Sequence, residues 1–130
     1  MLFRSMFIGG MSNLTFFKYD DLGTAREGGP LPERVIEGDA KFKNWDVDQS
    51  ADEKVRAGVW ETTPGTYKSI KGGTWEFCSI LSGVSEITED GKPPVRVKAG
   101  DSFVMKPDFT GVWRCIETTR KIWVVYKEAP

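Results

Sequence analysis

The sequence predicts an all-β domain, either a closed barrel or a double-sheet jelly roll. From Val55 onward, short apolar-rich stretches alternate with turn residues at close, regular intervals. No stripe of apolar residues at helical spacing persists anywhere, so no amphipathic helix is expected. Eight Phe, five Trp and three Tyr supply bulky rings of the kind that fill barrel interiors.

Taken in order, residues 1–30 are irregular in character, with 14–19 (Leu-Thr-Phe-Phe-Lys-Tyr) able to make one short strand. The stretch to Pro32 is rich in Gly and acidic residues. Residues 33–57 space Val35, Ile36, Phe42, Trp45 and Val47 among charges and read as an extended arm lying across the barrel or a neighbouring subunit. The strands follow. Residues 55–62 end at Pro64-Gly65, 66–70 at Gly72-Gly73, and 75–81 at Ser82-Gly83. Residues 84–88 pair with 95–98 across Glu89-Asp90-Gly91, whose Asp-Gly pair suits a hairpin because glycine tolerates positive φ. Residues 102–105 stop before Pro107, and 112–117 pair with 121–127 in a final hairpin across 118–120. The expected organisation is an N-terminal arm over 1–44 and a barrel over 45–130.

A chain of 130 residues is long enough for one domain with its own core. Its 39% hydrophobic and 28% charged residues argue against disorder. The formal net charge of −1 comes from interspersed signs, without the basic excess or stripe expected of a nucleic-acid binder. No apolar run is long enough to span a bilayer, so no membrane partner is expected. The opening Met-Leu-Phe-Arg-Ser-Met-Phe-Ile-Gly-Gly is interrupted by Arg4 and lacks the form of a signal peptide. Translation can begin at Met1, Met6 or Met11, and a cytoplasmic location is the default expectation. Cys78 and Cys115 are expected to be free, small core residues.

Two segments carry a family resemblance. The first runs Gly58-Val-Trp-Glu-Thr-Thr-Pro-Gly65 and then Trp75-Glu-Phe-Cys-Ser-Ile-Leu-Ser-Gly83. The second is Ala99-Gly-Asp-Ser-Phe-Val-Met-Lys-Pro107, continuing to Phe109-Thr-Gly-Val-Trp113. Together with Glu117, Arg120-Lys121 and Val124-Val125-Tyr126, they resemble the small cupins grouped with the (S)-ureidoglycine aminohydrolase cupin domain, over about residues 45–127. Glu76 and Gly83 keep the spacing of the glutamate and glycine in the first cupin motif. The resemblance implies a single cupin (RmlC-like) jelly-roll barrel with an extended N-terminal arm, a homodimer, and a Glu76 side chain that points inward.

The departure from the family lies in its metal ligands. The first-motif histidine positions fall around 69–73 and the second-motif position at Val112 or Trp113, yet the chain contains no histidine. One retained carboxylate cannot supply the three or four ligands of a transition-metal site. No metal and no other cofactor is therefore expected, and metal-dependent catalysis is not.

If Glu76 points inward, strand alternation sends Cys78 and Ile80 the same way. Trp60, Lys71, Met105, Trp113, Arg114 and Tyr126 are the other candidate pocket residues, with Trp113 placed to fill the metal's space. Blander roles stand beside these: Trp60, Trp75, Trp113 and Trp123 as core or interface rings, Lys71 on a solvated turn, Arg114 as a surface charge or a partner of Glu76. A buried carboxylate needs hydrogen bonds or a cation to offset desolvation. Glu76 is therefore expected to have a partner, with Arg114 and Lys71 as the candidates for a merely structural bridge, or to lie near water. Without histidine there is no Ser–His or Cys–His pair, and Cys78 beside a carboxylate is a poor thiolate. Glu76 is the one candidate catalytic residue, through proton transfer. The sequence thus points to a metal-free cupin that binds a small polar metabolite or serves as an accessory module. One alternative is a ureidoglycine aminohydrolase-like enzyme acting on a ureido or amino compound. The other is a structural or interaction module with a filled barrel.

Overall fold

A computed structural model of the chain describes residues 12–128. The alternative start residues Met1, Met6 and Met11 lie outside the described residues.

Among the described residues, nine antiparallel strands form one sheet that curls back on itself. They are β1 (Arg26–Gly28), β2 (Val35–Gly38), β3 (Phe42–Gln49), β4 (Val55–Thr62), β5 (Gly65–Ile70), β6 (Thr74–Glu89), β7 (Val95–Lys98), β8 (Ser102–Met105) and β9 (Thr110–Lys127). A single 3-10 turn, Pro32–Arg34, is the one helical element among the described residues. None of their helices is long and apolar enough to cross a membrane.

Two long strands organise everything else. β9 pairs with β6 along nearly its whole length, from Thr74↔Lys127 to Glu89↔Gly111. On its other edge β9 pairs first with β5 and then with β4. β6 in turn carries β8 beside its first half and β7 beside its second. Because both long strands bend, their two halves belong to opposite layers, as in a jelly roll. Aromatic contacts join the layers: Trp60 on β4 meets Trp113 on β9 edge-on at 5.4 Å, and Phe42 on β3 meets Tyr67 on β5 at 5.1 Å.

The long strands replace shorter ones expected from the sequence. Residues 75–81 and 84–88 are parts of one strand, β6, and no hairpin turns at 118–120, since β9 continues through them unbroken. Register shifts between Ile80 and Ser85 mark a bulged bend in β6. There Gly83 adopts φ +88°, and a Cβ on it would lie 2.1 Å from the Thr118 carbonyl oxygen. The polar run Thr118-Thr119-Arg120 looks like a turn but is used inside the strand. Thr119 is fully buried, its hydroxyl 2.7 Å from that of Ser85, and Arg120 reaches out to Glu61 at 2.9 Å. The bulge also changes the parity of β6, so Glu76, Cys78 and Ile80 before it and Ser85 and Ile87 after it all face inward.

The N-terminal segment also differs from expectation. Residues 14–19 form no strand. Within 33–57, β2 pairs with β5 and β3 with β4, so this part of the expected arm is woven into the sheet. Trp45 is the reason on β3: its ring is buried, and Arg120 stacks over it at 4.7 Å. The hairpin expected around Asp90-Gly91 does form, between β6 and β7, with Gly91 at φ +78°.

One half of the interior is closed. Trp113, Cys115, Ile87, Val97 and Tyr67 pack there around a set of satisfied hydroxyls. Trp113 donates its indole N–H to Ser85, and Tyr67 donates its hydroxyl to Thr62. Cys78 and Cys115 are both free and buried.

Replacing Gly83 by alanine combines left-handed backbone strain with a backbone clash, and should cost at least ~2 kcal/mol in denaturant unfolding. Gly91→Ala, at a positive φ but in open space, should cost only ~1 kcal/mol. Equal losses at the two sites would contradict the role given to the β6 bend.

Candidate functional site

The other half of the interior is an open cleft of about 480 Å³. Its floor is a cluster of charges. Glu76 is brought inward by β6 and is only 5% exposed. Lys121, on β9, sits opposite Ile80 of β6 and Trp60 of β4, and is also buried. Lys71 lies in the tight turn between β5 and β6, held there by the Lys71 amide donating to the Phe109 carbonyl and the Thr74 amide donating to the Lys71 carbonyl.

These three side chains converge. Lys71 Nζ donates to Glu76 Oε1 at 2.5 Å, and Lys121 Nζ donates to Glu76 Oε2 at 2.7 Å. The Cys78 thiol also donates to Oε2, at 3.2 Å, and Lys121 donates to its sulfur at 3.4 Å. Above Lys121 stand two indoles, with Nζ 4.7 Å from the Trp60 ring centre and 4.9 Å from that of Trp113. A desolvated ammonium gains about 2 kcal/mol from such a ring face. The buried lysine is thus surrounded by carboxylate, sulfur and π-systems in place of water.

Protonation states follow. Burial favours the neutral acid of Glu76, but the charges of Lys121 and Lys71 outweigh it and pull the carboxyl down to about 2. Burial likewise favours a neutral Lys121 amine, yet the anionic forms of Cys78 and Glu76 beside it push the ammonium up to about 12. Burial pushes the Cys78 thiol up to about 11, against the pull of Lys121 and with the push of Glu76. Near neutral pH Glu76 is therefore a carboxylate, Lys121 an ammonium and Cys78 a thiol, so Cys78 is not a nucleophile.

Of the candidate residues read from the sequence, Trp60, Lys71, Glu76, Met105 and Trp113 line this cleft. Cys78 lies behind Glu76, touching it and Lys121, and Ile80 belongs to the core beyond. Arg114 and Tyr126 do not reach the cleft. Arg114 is exposed and pairs with Glu86 at 3.4 Å, not with Glu76. Tyr126 is 41% exposed and its hydroxyl donates to Glu128. Parity is the reason: along β9 the odd positions Trp113, Lys121, Trp123 and Val125 are buried, so their even neighbours point outward. In the charged floor of the cleft, the residue missed from sequence is Lys121. Counting by twos from Trp113 through 119 would have found it, but a hairpin at 118–120 breaks that count.

The donor set does not fit a cupin metal. Glu76 is the one family ligand retained, and each of its oxygens already accepts from an ammonium group. Among the described residues no three His, Cys, Asp or Glu side chains cluster in a way that could hold an ion. The surplus positive charge would also repel a divalent cation.

The family model for the EutQ-like cupin domain matches residues 49–123. The chain belongs to this family. Solved structures show the same fold. A Salmonella typhimurium protein described as ethanolamine utilization protein Q shares 16% identity with this cupin, over 65% of this chain and 68% of that one, with a TM-score of 0.57. The Clostridium difficile EutQ protein shares 18% identity, over 67% of this chain and 63% of that one, at 0.58. A Pseudomonas syringae protein of unknown function shares 20%, over 80% of this chain and 45% of that one, at 0.69. The cupin thus spans less than two thirds of the Clostridium and Pseudomonas chains. No curated protein matches it.

Linkage gives the cluster a pH signature. The folded Glu76 carboxyl, at about 2, lies below its ordinary value of 4.5. Between those values the unfolded chain binds the proton and the folded chain does not, so this contribution is complete above the upper value and disappears as pH falls through the lower. Denaturant unfolding followed down this window should show a loss of about 3 kcal/mol that is absent from the Glu76→Gln variant. Parallel pH slopes for the two proteins would refute the arrangement.

Removing one partner tests the pairing. Lys121→Met should destabilise the cupin by about 2–3 kcal/mol, short of the full penalty for an unpaired buried charge, because it removes one of the two counter-ions of Glu76 and leaves Lys71. Lys121→Met with Glu76→Leu should recover a large part of that loss, since no buried carboxylate remains. If the double variant were as unstable as the sum of the two single changes, the energetic coupling would be absent.

Proposed function

We propose that this cupin is a metal-free binding protein that takes a small polar metabolite into the cleft between its sheets. The observation that carries the reading is the cleft with its prebuilt polar floor. Its size falls in the ~300–1,000 Å³ range of small-molecule sites, which are usually concave, largely preformed and lined by rings with a few fixed polar groups. Here Trp60, Trp113, Phe42 and Trp123 supply rings, and Lys71, Lys121 and Glu76 supply the polar groups. Trp123 is held in place by donating its indole N–H to Asn44 at 3.0 Å. The closed half of the barrel, with its satisfied hydroxyls, keeps these walls rigid, and a fully filled barrel would leave no such cleft.

A ureidoglycine aminohydrolase-like enzyme would ask Glu76 to accept or deliver a proton near neutral pH. A carboxyl held at about 2, with both oxygens engaged, is a weak base for that task. Binding is the better use of the same residues.

The test is a thermal-shift screen of small polar metabolites, run in parallel on a variant whose cleft is plugged. Ser69 lines the cleft and is half-buried on β5, so Ser69→Trp places an indole at its mouth. Compounds that raise the wild-type Tm by at least ~2 °C when saturating should lose their effect on Ser69→Trp, with the fold preserved by circular dichroism. A screen without hits, or hits untouched by the plug, would defeat the proposal.

A further inference from the structure

Resting on that reading, we infer that the cleft selects an organic oxyanion: a small flat or aromatic body bearing a carboxylate or phosphate group.

Charge around the cleft supports this first. The chain as a whole carries a formal net charge of −1. The cleft is lined by Arg26, Arg34, Arg56, Lys68, Lys71 and Lys121, against only Asp46 and Glu76 as acids. Both acids are already engaged. Arg26 holds Asp46 with two hydrogen bonds, at 2.9 and 3.0 Å, and Glu76 is shared by the two lysines. A strong positive excess is therefore gathered in one concavity of a slightly acidic protein, where low-dielectric walls focus the field on an anion.

The individual donors point the same way. Lys121 has no capacity to spare, since carboxylate, sulfur and two indole faces surround its ammonium. Lys71 differs. Its single ion-pair contact is to Glu76, while 18% of its side chain still meets solvent, leaving N–H donors for a ligand. Arg34 and Arg56 line the same cleft and have no ion-pair partner among the described residues. Each guanidinium can grip an oxyanion with two parallel hydrogen bonds. Trp60 and Phe42 offer a ring wall beside these donors, their own ring centres 5.1 Å apart.

Glu76 does not defeat this selection. Its one negative charge faces two lysines, so the cluster keeps one surplus positive charge at the cleft floor, where Lys71 still meets solvent. That single surplus is what a bound anion would neutralise. A cationic ligand would meet the same surplus without any free carboxylate to receive it.

Isothermal titration with matched probes tests the inference: benzoate and phenyl phosphate as anions, benzamide as the neutral analogue and benzylamine as the cation. Either or both anions should bind at least ~10-fold more tightly than benzamide and benzylamine, with the phosphate and carboxylate arms telling which oxyanion is preferred. Lys71→Gln, and separately Arg34→Gln with Arg56→Gln at the exposed mouth, should each weaken the anions by ~10-fold and leave benzamide unchanged. The mouth variants leave the buried cluster intact, which keeps the test open if Lys71→Gln fails to fold. Equal binding of benzamide or benzylamine, or anion affinity unmoved by the mouth variants, would overturn the inference while the cleft remains a binding site. No binding by any of these probes or by the wider metabolite screen would overturn both.

Discussion

A carboxylate inside a barrel stays ionised only beside a cation or hydrogen-bond donors, and Glu76 lies between two lysines. Its oxygens accept from Lys71 and Lys121 at 2.5 and 2.7 Å. Such an arrangement is no guarantee of net stability, because desolvating three charges offsets much of their attraction. What it does guarantee is position. Glu76 cannot rotate without stripping both lysines, Lys121 cannot move without leaving the faces of Trp60 and Trp113, and those rings meet edge-on. The floor of the cleft is therefore fixed before any ligand arrives, which lowers the ordering cost of binding.

The topology explains how residues so far apart come to share this floor. Glu76 and Lys121 are 45 positions apart in sequence, yet β6 and β9 are paired neighbours throughout. The bend in β6 at Gly83, opposite Thr118, turns the second half of β6 and the first half of β9 paired with it into the facing layer. Trp113, from that second layer, is thereby placed over the ammonium of Lys121, from the first. An unbent pair would leave the tryptophan and the lysine on the same flat sheet. The closed half of the barrel and the charged half are thus two consequences of one bend.

Much of this was legible in the sequence, and the failures have a common cause. Turn residues and the lack of helical periodicity predicted the all-β class, and the order of the motifs gave the cupin resemblance. Glu76 facing inward with Cys78 and Ile80 follows from period-two alternation within a segment that has no interruption. Errors appear where polar residues sit inside a strand. Thr118-Thr119-Arg120 and Ser82-Gly83 have the composition of turns, so each long strand was cut in two. Tertiary context overrides that local signal, because Thr119 satisfies its hydroxyl with Ser85 and Glu117 and so belongs indoors. Cutting β9 hid Lys121 and left Arg114 beside Lys71 as an apparent partner of Glu76, a place that Lys71 fills and Arg114 does not. The pairing of β2 with β5 and of β3 with β4 was hidden for another reason: the side chains of β2 and β3 are mostly exposed or half-buried, so little apolar alternation marks them.

Missing histidine takes on a more definite meaning beside Lys121. In the usual cupin arrangement the first-motif glutamate faces a metal cation held by imidazoles. Here it faces an ammonium tethered to the neighbouring strand, and indoles stand around that ammonium where ligands would otherwise be needed. A tethered monovalent cation balances the carboxylate but lacks open coordination positions, so it can neither polarise a substrate nor acidify a water. The second lysine then adds a charge that the carboxylate does not cancel. A metal site with its ligands intact would spend its positive charge on chemistry, whereas this cleft retains it as a fixed field. Fixed positive charge beside flat rings favours recognition of an anionic group on an apolar body.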